Sequence, residues 1–385
     1  MDALSQLSIQ DDYDLLHFKL PQPATPWMEN TLNTIQQLSL FERIPFKDEP
    51  SEGKPIQLKG MKRKKMHEVQ QICPYINAVW KESGIHTIVD IGAGQGYISC
   101  YLAAQYGYDV IGVETRKELV EKVNEKNKKQ TNFKMITYNI TKEMQSRELE
   151  SLLFPSAEPS DYGIIGLHCC GDLSPSMCRL FIESQFHCKL LCFVGCCYNL
   201  LSTKEDAIAD QFGYPMNDDI PHIVMSHYCR NAIVQNTQFD SVSAFESTIT
   251  RLFYRALLQK WIYVEFPEES NPIQFPVGSL SFHFRETSFM DYVKEYYESK
   301  HPEKTLPEEE RVKAFYENHQ HEFILFSGYF VLQCLYPSYH HVLFLTETIG
   351  QLLESAIIAD RVYYLQRHGA SVQVHCAFDR SQSPR

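Results

Sequence analysis

Two hydrophobic periodicities alternate over the first half of this chain. Residues 64–80 carry Val69, Ile72, Ile76 and Val79 at the three-to-four-residue spacing of a one-sided helix. Ile88 and Val89 open a short β-branched run that reads as a buried strand, and residues 97–104 return to helical spacing with Ile98, Tyr101 and Leu102 on one face. The exchange continues with a strand at 109–113, a helix at 117–128 and an alternating strand at 133–138. Strands at 162–167 and 190–194 follow, with a helix from Ser174 between them. Strands alternating with helices predict an α/β fold, a doubly wound Rossmann-like sheet of the seven-strand type. Ahead of this block, Pro21, Pro23 and Pro26 precede a helical run over 27–41 and a polar loop, so a helical lead-in is expected. Beyond it the alternation stops. Residues 243–260 and 286–300 read as helices joined by a proline-rich segment, too long a block for a loop. Residues 347–367 read as another helix and 372–377 as a last strand. The expected division is a lead-in (1–57), a Rossmann-like core (58–202), a mainly helical insertion or lid (203–350), and a C-terminal helix and strand completing the core (351–385).

Between the first strand and its helix stand Asp90 and three glycines at alternate positions, Gly92, Gly94 and Gly96. Such a turn lets the backbone approach a ligand, and the helix start offers N–H groups to a carboxylate or phosphate. The dinucleotide spacing G-x-G-x-x-G would need glycine at position 97, which is Tyr97. The pattern D-x-G-x-G-x-G is instead similar to the first motif of class I S-adenosylmethionine (SAM) methyltransferases. Strand 109–113 ends at Glu114, about 20 residues beyond the turn, where an acid accepts both ribose hydroxyls of an adenosine ligand. The competing reading is an acid that merely ends a strand. Asn139, after the third strand, either meets the adenine edge or forms a turn.

Two later strands end unusually, in residues 168–172 (HCCGD) and 195–199 (GCCYN). Open α/β sheets bind ligands beyond the carboxyl ends of their strands, so both endings face the reacting group. His168 reads either as a substrate-orienting group or general base, or as a histidine packed at a strand end against backbone. Cys170, Cys196 and Cys197 read as small, soft pocket residues or as buried filler. The vicinal pairs lack the C-x₂₋₄-C spacing of a zinc site, so no metal is expected. Tyr198 and Asp172 are candidates to bind the nucleophile, Asp172 also to take a proton. Lys64 and Lys65 either meet the cofactor carboxylate or a phosphate, or form a solvated helix start.

KKMHEV (64–69), GLHCCGDLSP (166–175) and VGCCYNLL (194–201) together resemble the methyltransferase-like 25 family, also labelled ribosomal RNA adenine dimethylase domain-containing proteins. That family shows KKxHEV, the glycine turn, GLHxCGDL and CCYHLL, then an acid-rich helix like residues 354–361 and a closing FDPxxSPRN. The resemblance covers most of the chain, most strongly 60–202 and 350–385, and implies a class I methyltransferase that takes SAM. Asn199 stands where the family has His, and Arg380 where it has Pro. The chain ends at Arg385 where relatives continue, as a shortened form would. GLHCCGD and CCYN are more distantly similar to motifs of transfer-RNA 2′-O-methyltransferases, which keeps RNA among the substrates. Methylation of base amino groups uses a D/N-P-P-Y/F turn after the fourth strand. His168 to Gly171 occupies that place and no Pro-Pro pair occurs, so adenine dimethylation is not expected.

Charge and composition narrow the partners. A net charge of −12 over 385 residues argues against a broad non-specific nucleic-acid footprint, whereas the KGMKRKK run at 59–65 argues for a local one. Twelve cysteines with no secretion-type N-terminus imply a reducing compartment, cytoplasm or nucleus. The most apolar run, 323–345, is broken by Pro337, His340 and His341, so no membrane insertion is expected. The expected substrate is a macromolecule, RNA or protein, met through the insertion, with a protein partner. The alternative is a non-catalytic SAM-binding or scaffold protein, which Asn199 keeps open.

Overall fold

The structure, a computed structural model, describes residues 26–40, 44, 61–155, 160–184, 186–206, 212–219, 221–234, 241–265, 288–319, 323–324, 333–334, 339–378 and 383. The Pro21 and Pro23 start of the lead-in, Lys59 of the basic run, the proline-rich segment before residue 277 and Arg380 lie outside them. The elements, in chain order, are α1 (Pro26–Leu38), α2 (Arg63–Ser83), β1 (Thr87–Ile91), α3 (Tyr97–Tyr106), β2 (Asp109–Glu114), α4 (Lys117–Lys126) and β3 (Phe133–Thr137). There follow α5 (Ser146–Leu153), β4 (Tyr162–Cys170), α6 (Leu173–Glu183), β5 (Cys188–Cys196) and a 3-10 turn (Tyr198–Leu200). The remainder is α7 (His227–Val234), α8 (Val242–Glu265), α9 (Phe289–Lys300), α10 (Glu309–His319), β6 (Phe323–Ile324), β7 (Gln333–Cys334) and α11 (Tyr339–Arg367).

β1 to β5 form one parallel sheet in the order β3-β2-β1-β4-β5. The order reverses between β1 and β4, the doubly wound arrangement, and five strands of the expected seven-strand type lie among the described residues. Alternate side chains explain the layers. Ile88 and Val110 pack with Val69, Ile72, Ile76 and Leu102 on one face. Val89, Ile91, Ile111 and Val113 pack with Leu149, Leu153, Met177 and Leu180 on the other. A parallel sheet covered on both faces needs apolar residues at successive positions, which is why these strands read as unbroken hydrophobic runs.

Helix α2 seats on this sheet through Trp80, which is 1% exposed. A Cβ at Gly163 of β4 would lie 2.4 Å from the Trp80 ring, so only glycine leaves room for the indole. β4 runs three residues past its expected end, through His168 to Cys170, with a register shift against β5 between Gly166 and Cys169. His168 sits at φ 63°, a left-handed conformation uncommon for a non-glycine residue.

Two compact units divide the chain: 1–37 with 238–349, and 38–237 with 350–385. In the first, α8, α9 and α10 bury an aromatic cluster of Phe245, Phe253, Trp261, Phe289, Tyr292 and Phe315. A capping box between Ser288 and Asp291 fixes the start of α9. β6 and β7 add a short antiparallel pair that the sequence pattern did not predict. In the second unit the last strand expected at 372–377 is corrected, because residues 371–377 hold no strand. That segment packs on α2 instead, with His375 4.8 Å from the Tyr75 ring and buried Phe378 edge-on to His67. Its alternation of inner and outer side chains is satisfied by a helix surface, not by a sheet edge.

Candidate active site

Backbone geometry accounts for the glycine turn one position at a time. Gly92, Gly94 and Gly96 adopt φ of 74°, 56° and 68°, the left-handed region that glycine enters without cost. Gly92 and Ala93 donate backbone N–H to the Val113 carbonyl at 2.9 and 3.0 Å, tying the turn to β2. A Cβ at Gly96 would press on Val123, Phe133 and Met135 at 3.2 to 3.4 Å, so this glycine serves packing. A Cβ at Gly94 would meet nothing closer than 3.9 Å, so this is the glycine with open space above it.

Two carboxylates fix the turn's ends. Asp90 in β1 is 3% exposed and accepts a hydrogen bond from Ser99 Oγ, which pins the start of α3. Burial raises its pKa to about 6, against the opposing pull of Ser99 and the charge of Lys65. Asp90 is thus a brace beneath the turn. Glu114 ends β2, accepting from the Gly94 N–H at 3.1 Å and from Arg116 Nε at 2.8 Å. Burial raises its pKa, but Arg116 and the Gly94 N–H outweigh it and hold the carboxyl below its usual range. An ionised acceptor therefore stands at the carboxyl end of β2 beside the open glycine. Asn139 lies exposed just past β3.

Glu68 is a residue the sequence reading missed. It sits in the first turns of α2, 1% exposed, and four groups converge on it. Its Oε2 lies 3.1 Å from His168 Nε2 and 2.9 Å from Lys65 Nζ. Its Oε1 accepts from Ser383 Oγ at 2.9 Å, with Lys64 Nζ 3.7 Å away. Burial pushes its pKa up, but His168 and Lys65 more than offset this and bring it to about 2. Lys64 and Lys65 therefore pair with a buried acid, a placement neither reading of them anticipated. His168 bonds to a carboxylate, not to backbone. The signal was present: an acid three and four residues after two lysines, next to Val69 on the buried stripe.

The remaining candidates gather at the ends of β4 and β5. Cys170 Sγ lies 3.4 Å from Cys196 Sγ and 3.3 Å from Cys197 Sγ. Tyr198 is 5% exposed, with the Arg361 guanidinium 5.5 Å over its ring, and burial pushes its phenol pKa up. A small pocket there is lined by Cys196, Cys197, Tyr198, Ile233 and Glu354. Asp172 stands at the N-cap position of α6 without a side-chain cap to the helix, and its Oδ1 instead accepts from the Ser202 N–H at 2.7 Å. It pins the exit of the 3-10 turn, so its carboxylate already has a structural partner. Asn199 is half-buried within that turn.

An open parallel sheet of this order, with a glycine turn after β1 and an acid ending β2, is the doubly wound Rossmann-like arrangement expected of a class I methyltransferase. In agreement, residues 64–204 match the family described as a methyltransferase domain. The chain is 29% identical over 237 residues to the mouse protein "Probable methyltransferase-like protein 25", covering 58% of this chain and 36% of that one. The human protein of the same name is 28% identical over 242 residues, covering 58% and 35%. The resemblance carried by KKMHEV, GLHCCGDLSP and VGCCYNLL is thereby borne out, and the match spans about a third of these relatives' length. Among solved structures, the 23S rRNA methyltransferase ErmE aligns at 16% identity and TM-score 0.23, covering 32% of this chain and 45% of its own. The plantazolicin methyltransferase BpumL, in complex with SAH and a triazolic analogue, aligns at 14% and 0.25, covering 49% and 56%. Among the described residues no helix is long and apolar enough to cross a membrane.

Proposed function

We propose that this chain binds SAM at the glycine turn and transfers its methyl group in line to a macromolecule, RNA or protein. The observation that carries the reading is the pairing of open Gly94 with ionised Glu114 at the carboxyl end of β2. When bound, SAM supplies a methyl group on a sulfonium, electrophilic enough that positioning supplies much of the rate. In this reading Glu114 accepts ribose hydroxyls by exchanging its bond to Gly94 or Arg116. The start of α3, held by Asp90, presents N–H groups.

His168 is the proton acceptor in this scheme. With Nε2 donating to Glu68, Nδ1 is the nitrogen able to take a proton, and the buried carboxylate orients the ring. Lys65 and Ser383 hold Glu68 in place. A protein partner, and residence in cytoplasm or nucleus, belong to the same proposal.

The test follows labelled methyl from SAM into the RNA and the protein fractions of a cell extract. Wild-type chain labels one fraction, and His168→Asn lowers the label by about 10²–10⁴-fold with SAM affinity unchanged. Equal labelling by the variant would remove His168 from the mechanism. Wild-type chain that binds SAM and labels neither fraction would favour the scaffold reading.

A further inference from the structure

Two separate devices bring three thiols together at the ends of β4 and β5. Cys170 and Cys196 are register partners on adjacent parallel strands, so their side chains leave the sheet on the same side. Cys197 follows directly, and a continued strand would send its side chain to the opposite face. Its φ of 48° turns it back instead. A non-glycine residue is strained in that region, and here the strain is coupled to a convergence. The Sγ atoms stand 3.3 Å (Cys170 to Cys197), 3.4 Å (Cys170 to Cys196) and 3.8 Å (Cys196 to Cys197) apart. Not every thiol of the motif joins them: Cys169 packs away, with Sγ 3.4 Å from Met177 Sδ.

These distances suit a common ion. Thiolates bound tetrahedrally at a Zn–S length of about 2.3 Å lie about 3.8 Å from one another, a few tenths of an ångström from the spacing present. The exposure is graded in the way a site needs. Cys196 is 3% exposed and encloses one side, while exposed Cys170 provides an entry path. We propose that Cys170, Cys196 and Cys197 together bind a zinc ion, leaving its fourth position open to water or a substrate atom. Three protein ligands with an open fourth position are the pattern of a reactive site, not of a closed structural one. Binding replaces three S–H bonds with three Zn–S bonds and sends three protons to solvent, with no change of oxidation state. The C-x₂₋₄-C spacing wraps an ion with ligands from one segment, whereas here Cys170 comes from β4 and Cys196 and Cys197 from the end of β5. The site stands whether or not the SAM reading does.

The test is a titration of the reduced full chain with cobalt(II), a coloured substitute for zinc. One equivalent is expected to give a sulfur-to-cobalt charge-transfer band that zinc then abolishes. Cys170→Ser, at the exposed position, weakens the band's affinity, and the Cys170→Ser/Cys197→Ser double variant weakens it by more than the roughly 100-fold that an outer-shell change produces. Cys229→Ser, outside the cluster, leaves it unchanged. Circular dichroism establishes that each variant is folded. A folded chain with no charge-transfer band, or a band that survives the double variant, would overturn the proposal.

Discussion

Glu68 is where three distant stretches of sequence meet. KKMHEV supplies Lys64, Lys65 and Glu68 itself, GLHCCGD supplies His168, and the closing residues supply Ser383. All three stretches could be read as motifs, but not their meeting point, because a buried acid in an apolar helical stripe looks from the sequence like an exposed one. Glu68 is buried but its charged partners Lys65 and His168 are partly exposed, and losing a hydrogen bond to a charged group costs about 1.5–3 kcal/mol. Glu68→Gln should therefore lower stability by an amount of that order in urea denaturation, more than Lys64→Gln, whose amine is the more distant partner. The pH response carries a second signature. Glu68 has a depressed pKa of about 2, so its contribution is complete above pH 4.5 and is lost as pH falls towards 2. Asp90 is raised from 3.8 to about 6, so its contribution is complete below 3.8 and is lost as pH rises through 6. Wild-type stability should thus fall as pH rises from 4 to 7 by up to about 3 kcal/mol from Asp90 alone. Asp90→Asn should flatten that stretch of the curve, as measured by denaturation at several pH values.

At the level of elements, the regular exchange of strand and helix periodicity made the sheet legible. β1, β2, β3, β4 and β5 fall where their apolar runs indicate, since strands covered on both faces must be apolar throughout. What the pattern hid has a physical cause in each case. The extension of β4 passes through polar His168, which period-two reading takes for a loop. Residues 372–377 alternate as a strand does, yet they lie on α2 by way of His375 and Phe378. The two-residue strands β6 and β7 are too short for any periodicity. Glycine packing gives a prediction here. Gly163→Ala would drive a methyl into the Trp80 ring, which is held between α2 and the sheet. A loss of about 1–3 kcal/mol is expected from that overpacking, with near-ultraviolet circular dichroism reporting the displaced indole. Gly94→Ala, facing open space, should cost only about 1 kcal/mol from its positive φ.

At the scale of the whole chain, a stretch at 64–204 that matches a methyltransferase-domain family is accompanied by an aromatic-cored helical unit of 1–37 and 238–349. Its charge of −12 leaves little general attraction for nucleic acid, so an RNA substrate would need a localised basic surface such as the run ending at Lys65. The central claim is that the glycine turn and Glu114 hold SAM, and calorimetric titration of the full chain with SAM and with its demethylated product tests it most directly. We expect one site of micromolar affinity for both ligands, weakened at least tenfold, about 1.4 kcal/mol, by Glu114→Ala. Folded protein that takes up no ligand at millimolar concentration, or binding that Glu114→Ala leaves unchanged, would contradict the account.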